Sequence, residues 1–154
     1  SMTEIQILVG SVYGGALITA RKLRDELSGE DVRITVHERP TLASLTDTNG
    51  PVLVCTSTTG QGEVPENLLP FYVDLRETLP LQEGRPFGVI VLGDSSYGDT
   101  FCGAGELMEE ALLEVAARKV GDTLRIDAME TMEPEAEALP WARAWLEQVR
   151  STDR

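Results

Sequence analysis

Apolar residues along this chain fall into short runs that alternate with stretches of helical spacing. IQILVG at 5–10 is an unbroken apolar run ending in glycine, which predicts a buried strand. Residues 15–28 carry Leu17, Ala20, Leu23 and Leu27 at helical intervals. VRITVHE at 32–38 alternates with period 2, and PVLVCT at 51–56 is again continuous. Residues 67–79 predict a helix, with Asn67 as its N-cap and Pro70 in a first turn that does not need its missing N–H. FGVIVLG at 87–93 is the most apolar strand. Residues 103–119 predict a helix with Leu107, Ala111, Val115 and Arg118 in a register that buries one face. DTLRIDA at 122–128 alternates as an edge strand. A last helix spans 140–150, with Trp141, Trp145 and Val149 as its core stripe. The connection at 39–50 is the least regular and has room for a short helical turn.

Strand and helix thus alternate as β-α-β-loop-β-α-β-α-β-α. Such alternation predicts an α/β protein, a parallel sheet with helices on both faces, and right-handed crossovers restrict its topology. No repeat, linker or low-complexity tract divides the 154 residues, so a single domain over 1–154 is expected, with Ser1 ahead of Met2 as an appended residue.

Composition adds constraints. The formal charge is −13, with 13 basic and 26 acidic residues. Such a field repels nucleic acid and anionic membranes, so neither is expected as a partner. It attracts proteins with basic patches; on charge alone a plain acidic surface serves equally well. Cys55 and Cys102 make no C-x-x-C pair and no zinc-ligand set. His37, the one histidine, sits at a strand end, where a structural role is expected. No signal peptide or membrane-spanning stretch is visible, and the expected compartment is the cytoplasm.

In an open parallel sheet, ligands bind at the carboxyl ends of the strands. Three strand exits here share an unusual chemistry: GSVYGGA at 10–16, TSTTGQGEVPEN at 56–67, and LGDSSYGDTFCGAG at 92–105. Small and hydroxyl residues dominate each, and each precedes a helix. In the first, Gly14 and Gly15 permit close backbone approach, and the following helix start points free N–H groups at the same place. That suits a phosphate without any lysine. The loop is neither a Walker A sequence nor a G-x-G-x-x-G fingerprint, and taken alone it is equally a simple turn. In the third, Tyr97 either covers its own loop or offers a stacking platform to a flat ligand. Together the three loops describe a ligand with a phosphate at one end and a planar polar ring at the other.

These three segments resemble the flavin loops of the flavodoxins, above all the short MioC-type members and the FMN domains of diflavin reductases, and the resemblance covers residues 4–150. It implies a flavodoxin-like three-layer sandwich of five parallel strands in order 2-1-3-4-5, of the short-chain type. The implied cofactor is FMN. The residues implied to hold it are Ser11, Val12, Tyr13, Gly14, Gly15 and Ala16 in the first loop and Ser57, Thr58, Thr59, Gly60, Gln61 and Gly62 in the second. The third loop contributes Gly93, Asp94, Tyr97, Asp99, Phe101 and Cys102. Three departures from the family pattern stand out. Tyr13 and Ala16 replace phosphate-loop threonines, so Ser11 and the amides of 12–16 carry more of the anion. Thr59 stands where many relatives place an aromatic. The third loop is one residue longer between Tyr97 and Phe101. All three imply weaker FMN binding.

The implied function is low-potential electron transfer. FMN would carry single electrons from a basic-surfaced flavoprotein reductase to an acceptor enzyme such as an iron–sulfur protein, with the chain a monomer and no residue acting as acid, base or nucleophile. The Thr59–Gly60 peptide is expected to rotate its carbonyl toward flavin N5, because glycine accepts backbone angles that other residues resist. Glu63, Asp94 and Asp99 would disfavour an anionic flavin and make the reduced protein a stronger reductant. The alternative on the same fold is an FMN-dependent NAD(P)H:quinone reductase. A phospho-receiver would need an acidic pair after the first strand and an Asp ending the third, where Gly10, Ser11, Cys55 and Thr56 stand. A cofactor-free interaction protein is the remaining possibility.

Overall fold

The structure is a computed structural model that describes residues 2–93, 95, 98 and 102–152. Among the described residues six strands and five helices follow one another: β1 (Thr3–Gly10), α1 (Gly15–Leu27), β2 (Val32–His37), α2 (Leu42–Thr46), β3 (Val52–Ser57), α3 (Leu69–Thr78), β4 (Pro86–Gly93), α4 (Gly103–Glu114), β5 (Arg118–Lys119), β6 (Leu124–Asp127) and α5 (Pro134–Thr152). The sheet is parallel, in the order β2-β1-β3-β4, with β5 and β6 both pairing on the outer side of β4. The fifth position is therefore one interrupted strand: β5 pairs with Pro86 and Phe87, and β6 with Ile90 to Gly93.

The pleat divides the core into two layers. Ile5, Ile7 and Val9 of β1, with Leu53, Cys55, Ile90 and Leu92, face α1 and α5. Leu8, Val52, Val54, Phe87, Val89 and Val91 face α2, α3 and α4. Both faces of β1, β3 and β4 are buried, which is why those strands read as continuous apolar runs. On α5, Ala138, Ala142, Trp145 and Val149 form the buried stripe. Trp141 is only half-buried; it stacks on Trp145, with centroids 6.2 Å apart, and donates Nε1–H to the Asp122 carbonyl.

Several expected boundaries move. α4 ends at Glu114, because Ala116 takes a left-handed φ of 68° and the chain turns into the sheet. Arg118 is exposed on β5 and belongs to no helix face. α5 begins six residues before Pro140, which lies inside it. Pro134 opens this helix, and its missing N–H is one that a first turn leaves free. The irregular 39–50 connection does hold a short helix, α2, closed by a capping box between Thr41 and Ser44. Among the described residues no helix is long and apolar enough to cross a membrane.

Candidate functional site

The strand register sets where the site forms. Gly10 pairs with Thr56, Ser57 with Leu92, and Gly93 with Asp127. Four strand exits therefore open at one edge of the sheet. Between them lies a cavity of about 380 Å³ lined by Val12, Tyr13, Gly15, Ser57, Thr58, Thr59, Gly60, Leu92, Gly93 and Ala128. None of these carries a charge. The volume lies in the usual range for small-molecule sites, roughly 300–1,000 Å³. A shallower depression of about 500 Å³ sits at the opposite edge, between Met2, Arg24 and Val32. Thr58, whose buried hydroxyl has no partner among the described residues, lines the first cavity and not this one.

The first loop is a tight turn into α1. Ser11 Oγ accepts the Gly14 N–H at 2.9 Å, and Gly14 takes φ 92°, a left-handed angle that suits glycine. No side chain caps α1, so the first-turn N–H groups of Gly15, Ala16 and Leu17 lack intrahelical partners. They form an anion cradle at the positive end of a 13-residue helix. The amide of Gly14 is already engaged by Ser11, so the cradle is narrower than the full 12–16 run. The Ser11 hydroxyl keeps its own proton to donate. The Ala16 side chain is buried in the α1 face of the core.

Asn67 anchors this turn. Its Oδ1 accepts the Ser11 N–H at 2.8 Å, and its Nδ2 donates to the Val9 carbonyl at 2.8 Å and the Glu38 carbonyl at 2.7 Å. It is not the N-cap of α3, a position held by Leu68. It joins the exits of β1 and β2 to the segment that follows β3. Nothing in the local pattern distinguishes this role from a cap, because all three partners are distant in sequence.

The four hydroxyls of the second loop divide by task. Thr56 is fully buried and donates to the Ser57 carbonyl; Ser57 Oγ donates to the Gly10 carbonyl at 3.3 Å; Thr59 Oγ1 donates to the Glu63 carbonyl at 3.2 Å. Thr58 Oγ1 is buried and has no hydrogen-bond partner among the described residues. A buried hydroxyl left unpaired is costly, and this one lines the cavity.

Residues 59–63 form a small closed loop. The Thr59 N–H donates to the Glu63 carbonyl, and the Thr59 carbonyl accepts from Gly62 at 3.2 Å and Glu63 at 2.7 Å. Gly60 and Gly62 hold φ 51° and 93°. The Thr59–Gly60 peptide, expected to rotate, is thus tied by two bonds through its carbonyl, and rotation would break both. Glu63 folds its carboxylate against Gly60: a Cβ there would lie 3.0 Å from Oε1. Gln61 is exposed beside it. A Cβ at Gly103 would lie 2.7 Å from the Gly62 Cα, so the start of α4 packs on this loop through two glycines.

Of the third-loop residues, Gly93 lines the cavity, whereas Asp94, Tyr97, Asp99 and Phe101 lie outside the described residues. Cys102 is buried in the layer facing α3 and α4, with burial pushing its thiol up to about 11. Its side chain is a core group and does not line the cavity. Cys55 is likewise buried, its thiol pushed up to about 12. His37 Nε2 pairs with Gln6 Oε1 at 2.6 Å, and burial lowers its pKa, in keeping with a structural role.

A fourth exit escaped the sequence reading. Ala128, after β6, lines the cavity, and its N–H donates to the Gly93 carbonyl at 2.7 Å. Asp127 Oδ1 accepts N–H groups from Ser95 at 3.1 Å and Met129 at 2.9 Å, fastening the exits of β4 and β6 together. The Ser95 side chain first, then the Met129 amide, holds this carboxyl below its ordinary pKa. The signal available in the sequence was topological: a strand beside β4 must end at the same edge.

An open, doubly wound parallel sheet with a cavity and an uncapped helix start at its carboxyl edge is the α/β arrangement in which ligands bind outside the strand ends. The flavodoxin family profile matches residues 7–141. "Flavodoxin YqcA" of Pectobacterium carotovorum subsp. carotovorum is 44% identical over 149 residues, covering 96% of this chain and 98% of that protein. "Protein MioC" of Escherichia coli (strain K12) is 36% identical over 145 residues, covering 94% and 97%. Among solved structures, a cysteine-to-serine mutant of a flavodoxin from Pseudomonas aeruginosa superposes with a TM-score of 0.89 at 44% identity, covering 96% and 99%. The chain belongs to the flavodoxin family, whose members are FMN-binding electron-transfer proteins.

The residues present fit FMN. Thr58 supplies an unpaired hydroxyl, Gly60 lets the backbone approach closely, and the start of α1 with Ser11 supplies donors for a phosphate.

Proposed function

We propose that this chain binds FMN in the four-exit cavity and carries single electrons from a flavoprotein reductase to an acceptor enzyme, such as an iron–sulfur protein, in the cytoplasm. The observation that carries the reading is the buried Thr58 hydroxyl, unpartnered among the described residues, in a cavity whose described lining residues carry no charge. A bound group with its own polar edge would satisfy it. Bound FMN supplies the electron chemistry; the chain binds, orients and tunes it. Ser11 and the amides of Gly15 to Leu17 hold the phosphate. Ser57, Thr58 and Gly60 meet the ring side.

Tuning follows from the charge distribution. The Glu63 carboxylate lies against Gly60 at the cavity wall, and Glu66 is exposed nearby in sequence. A carboxylate about 8 Å from added negative charge, at an effective dielectric near 40, disfavours it by roughly 1 kcal/mol. Glu63, within a net charge of −13, steers a basic partner to the cavity mouth, and Glu66 extends the acidic surface toward a neighbouring depression with Arg39 and Pro40.

The test is stopped-flow reduction of FMN-loaded wild type and the Glu63→Gln/Glu66→Gln protein by a flavoprotein reductase across a salt series. The double substitution slows reduction at low salt, and the difference vanishes as the Debye length falls from about 10 to 3 Å. Equal rates at every salt concentration would remove this acidic surface from the docking site. Steady NAD(P)H oxidation by the FMN-loaded protein alone, with a quinone as acceptor, would replace the carrier reading by a reductase.

A further inference from the structure

Tyr13 is 98% exposed although it lines the cavity. Among the described aromatic residues it stands apart: Phe71, Phe87 and Trp145 are buried, and Tyr72 and Trp141 half-buried. Its ring therefore adds nothing to the packing of the fold. The backbone beneath it is held on both sides. The Ser11 N–H is bonded to Asn67, and the Gly14 N–H is bonded back to Ser11 Oγ. Residues 12 and 13 form the tip of this pinned turn, with Val12 also exposed. The side chain above it is free to turn about χ1 and χ2, and an aromatic ring with two torsions loses little entropy when it is fixed.

The second loop offers no aromatic. Residues 56–63 are Thr, Ser, Thr, Thr, Gly, Gln, Gly and Glu, and Thr59 is bound into the closed 59–63 loop by its own backbone and hydroxyl. A planar ring seated against Ser57, Thr58 and Gly60 would leave apolar surface open toward the first loop. Resting on the FMN reading above, we infer that Tyr13 is an aromatic cover of the bound flavin on its first-loop side, folding from the rim over the cavity when FMN is present. It restores from the phosphate loop the stacking surface that Thr59 does not supply. Both partners gain: an exposed phenol ring and an exposed flavin face leave water together.

Two measurements test this on the whole chain. The first is acetylation of tyrosine by N-acetylimidazole, mapped by mass spectrometry with and without saturating FMN. Tyr13 is expected to react freely in the apoprotein and at least tenfold more slowly with FMN. Tyr72, half-buried and hydrogen-bonded to Arg76, should be unchanged and serves as the control. The second is FMN titration of Tyr13→Ala and Tyr13→Phe. A ring this exposed can be removed without loss of fold. The alanine variant should bind FMN about 5- to 150-fold more weakly, the range that removal of an aromatic stacking partner gives, and the phenylalanine variant within about twofold of wild type. Tyr13 reacting equally fast under saturating FMN, or Tyr13→Ala binding FMN as wild type does, would overturn the inference. The second result together with slower reduction by a reductase would assign Tyr13 to partner docking instead. A wild-type protein that binds no FMN removes the functional reading and this inference with it.

Discussion

Replacing Asn67 removes three long-range hydrogen bonds in one step. Its side chain accepts from Ser11 N–H and donates to the carbonyls of Val9 and Glu38, at 2.7–2.8 Å. The bond to Glu38 is exposed and water can replace it, whereas the other two are partly buried. At about 0.5–1.5 kcal/mol for each partly buried bond, Asn67→Ala should destabilise the apoprotein by about 1–3 kcal/mol. For a chain of this size that lowers the melting temperature by about 3–9 °C. Because Ser11 N–H loses its anchor, FMN affinity should fall by about 1 kcal/mol as well. Asn67→Asp separates this account from a helix cap. Aspartate caps helices as well as asparagine does, so a capping role predicts little change. In the bridging role aspartate loses both donors and turns a carboxylate on two carbonyl oxygens, so it should be at least as damaging as alanine. Urea unfolding of the three apoproteins, with FMN titration of each, reads both effects. An Asn67→Asp protein as stable as wild type would refute the bridge.

Other substitutions probe neighbouring parts of the site. Thr58→Val should leave the apoprotein unchanged or up to about 1 kcal/mol more stable, because it deletes an unpaired buried hydroxyl. The same change should weaken FMN binding by about 0.5–1.5 kcal/mol in a fluorescence titration. Gly103→Ala should cost about 1–3 kcal/mol in chemical denaturation, since the new methyl meets the Gly62 backbone, which cannot swing aside. The Asp127 pKa is lowered in the folded state by hydrogen bonds from Ser95 and Met129. Its contribution to stability is therefore present above the ordinary carboxylate pKa and lost as pH falls through the lowered value. Asp127→Asn should flatten that acid limb in urea unfolding across pH; an unchanged limb would place the effect elsewhere.

Layer order and the location of the site were legible because they rest on periodicity. Buried parallel strands read as apolar runs such as IQILVG and FGVIVLG, and ligand loops must follow them. Boundaries shifted where a single residue overrides periodicity. Ala116, at φ 68°, ends α4 five residues before the expected stop, and Pro134, rather than Pro140, starts α5. The bridging role of Asn67 was invisible because its partners at Val9, Ser11 and Glu38 come close only through the sheet order β2-β1-β3. The four hydroxyls at 56–59 looked equivalent in sequence. Only the fold shows that Thr56 and Thr59 bond within their own loop, that Ser57 reaches across to the Gly10 carbonyl, and that the Thr58 hydroxyl has no partner among the described residues.

The central claim is that this cavity holds FMN by its phosphate at the start of α1. Titration of the purified apoprotein with FMN and with riboflavin, followed by flavin fluorescence, tests it most directly. The account predicts saturable binding of one FMN per chain, and riboflavin weaker by orders of magnitude, because Ser11 and the amides of Gly15, Ala16 and Leu17 have no anion to bind in riboflavin. Equal affinity for the two flavins, or no binding of FMN, would contradict it.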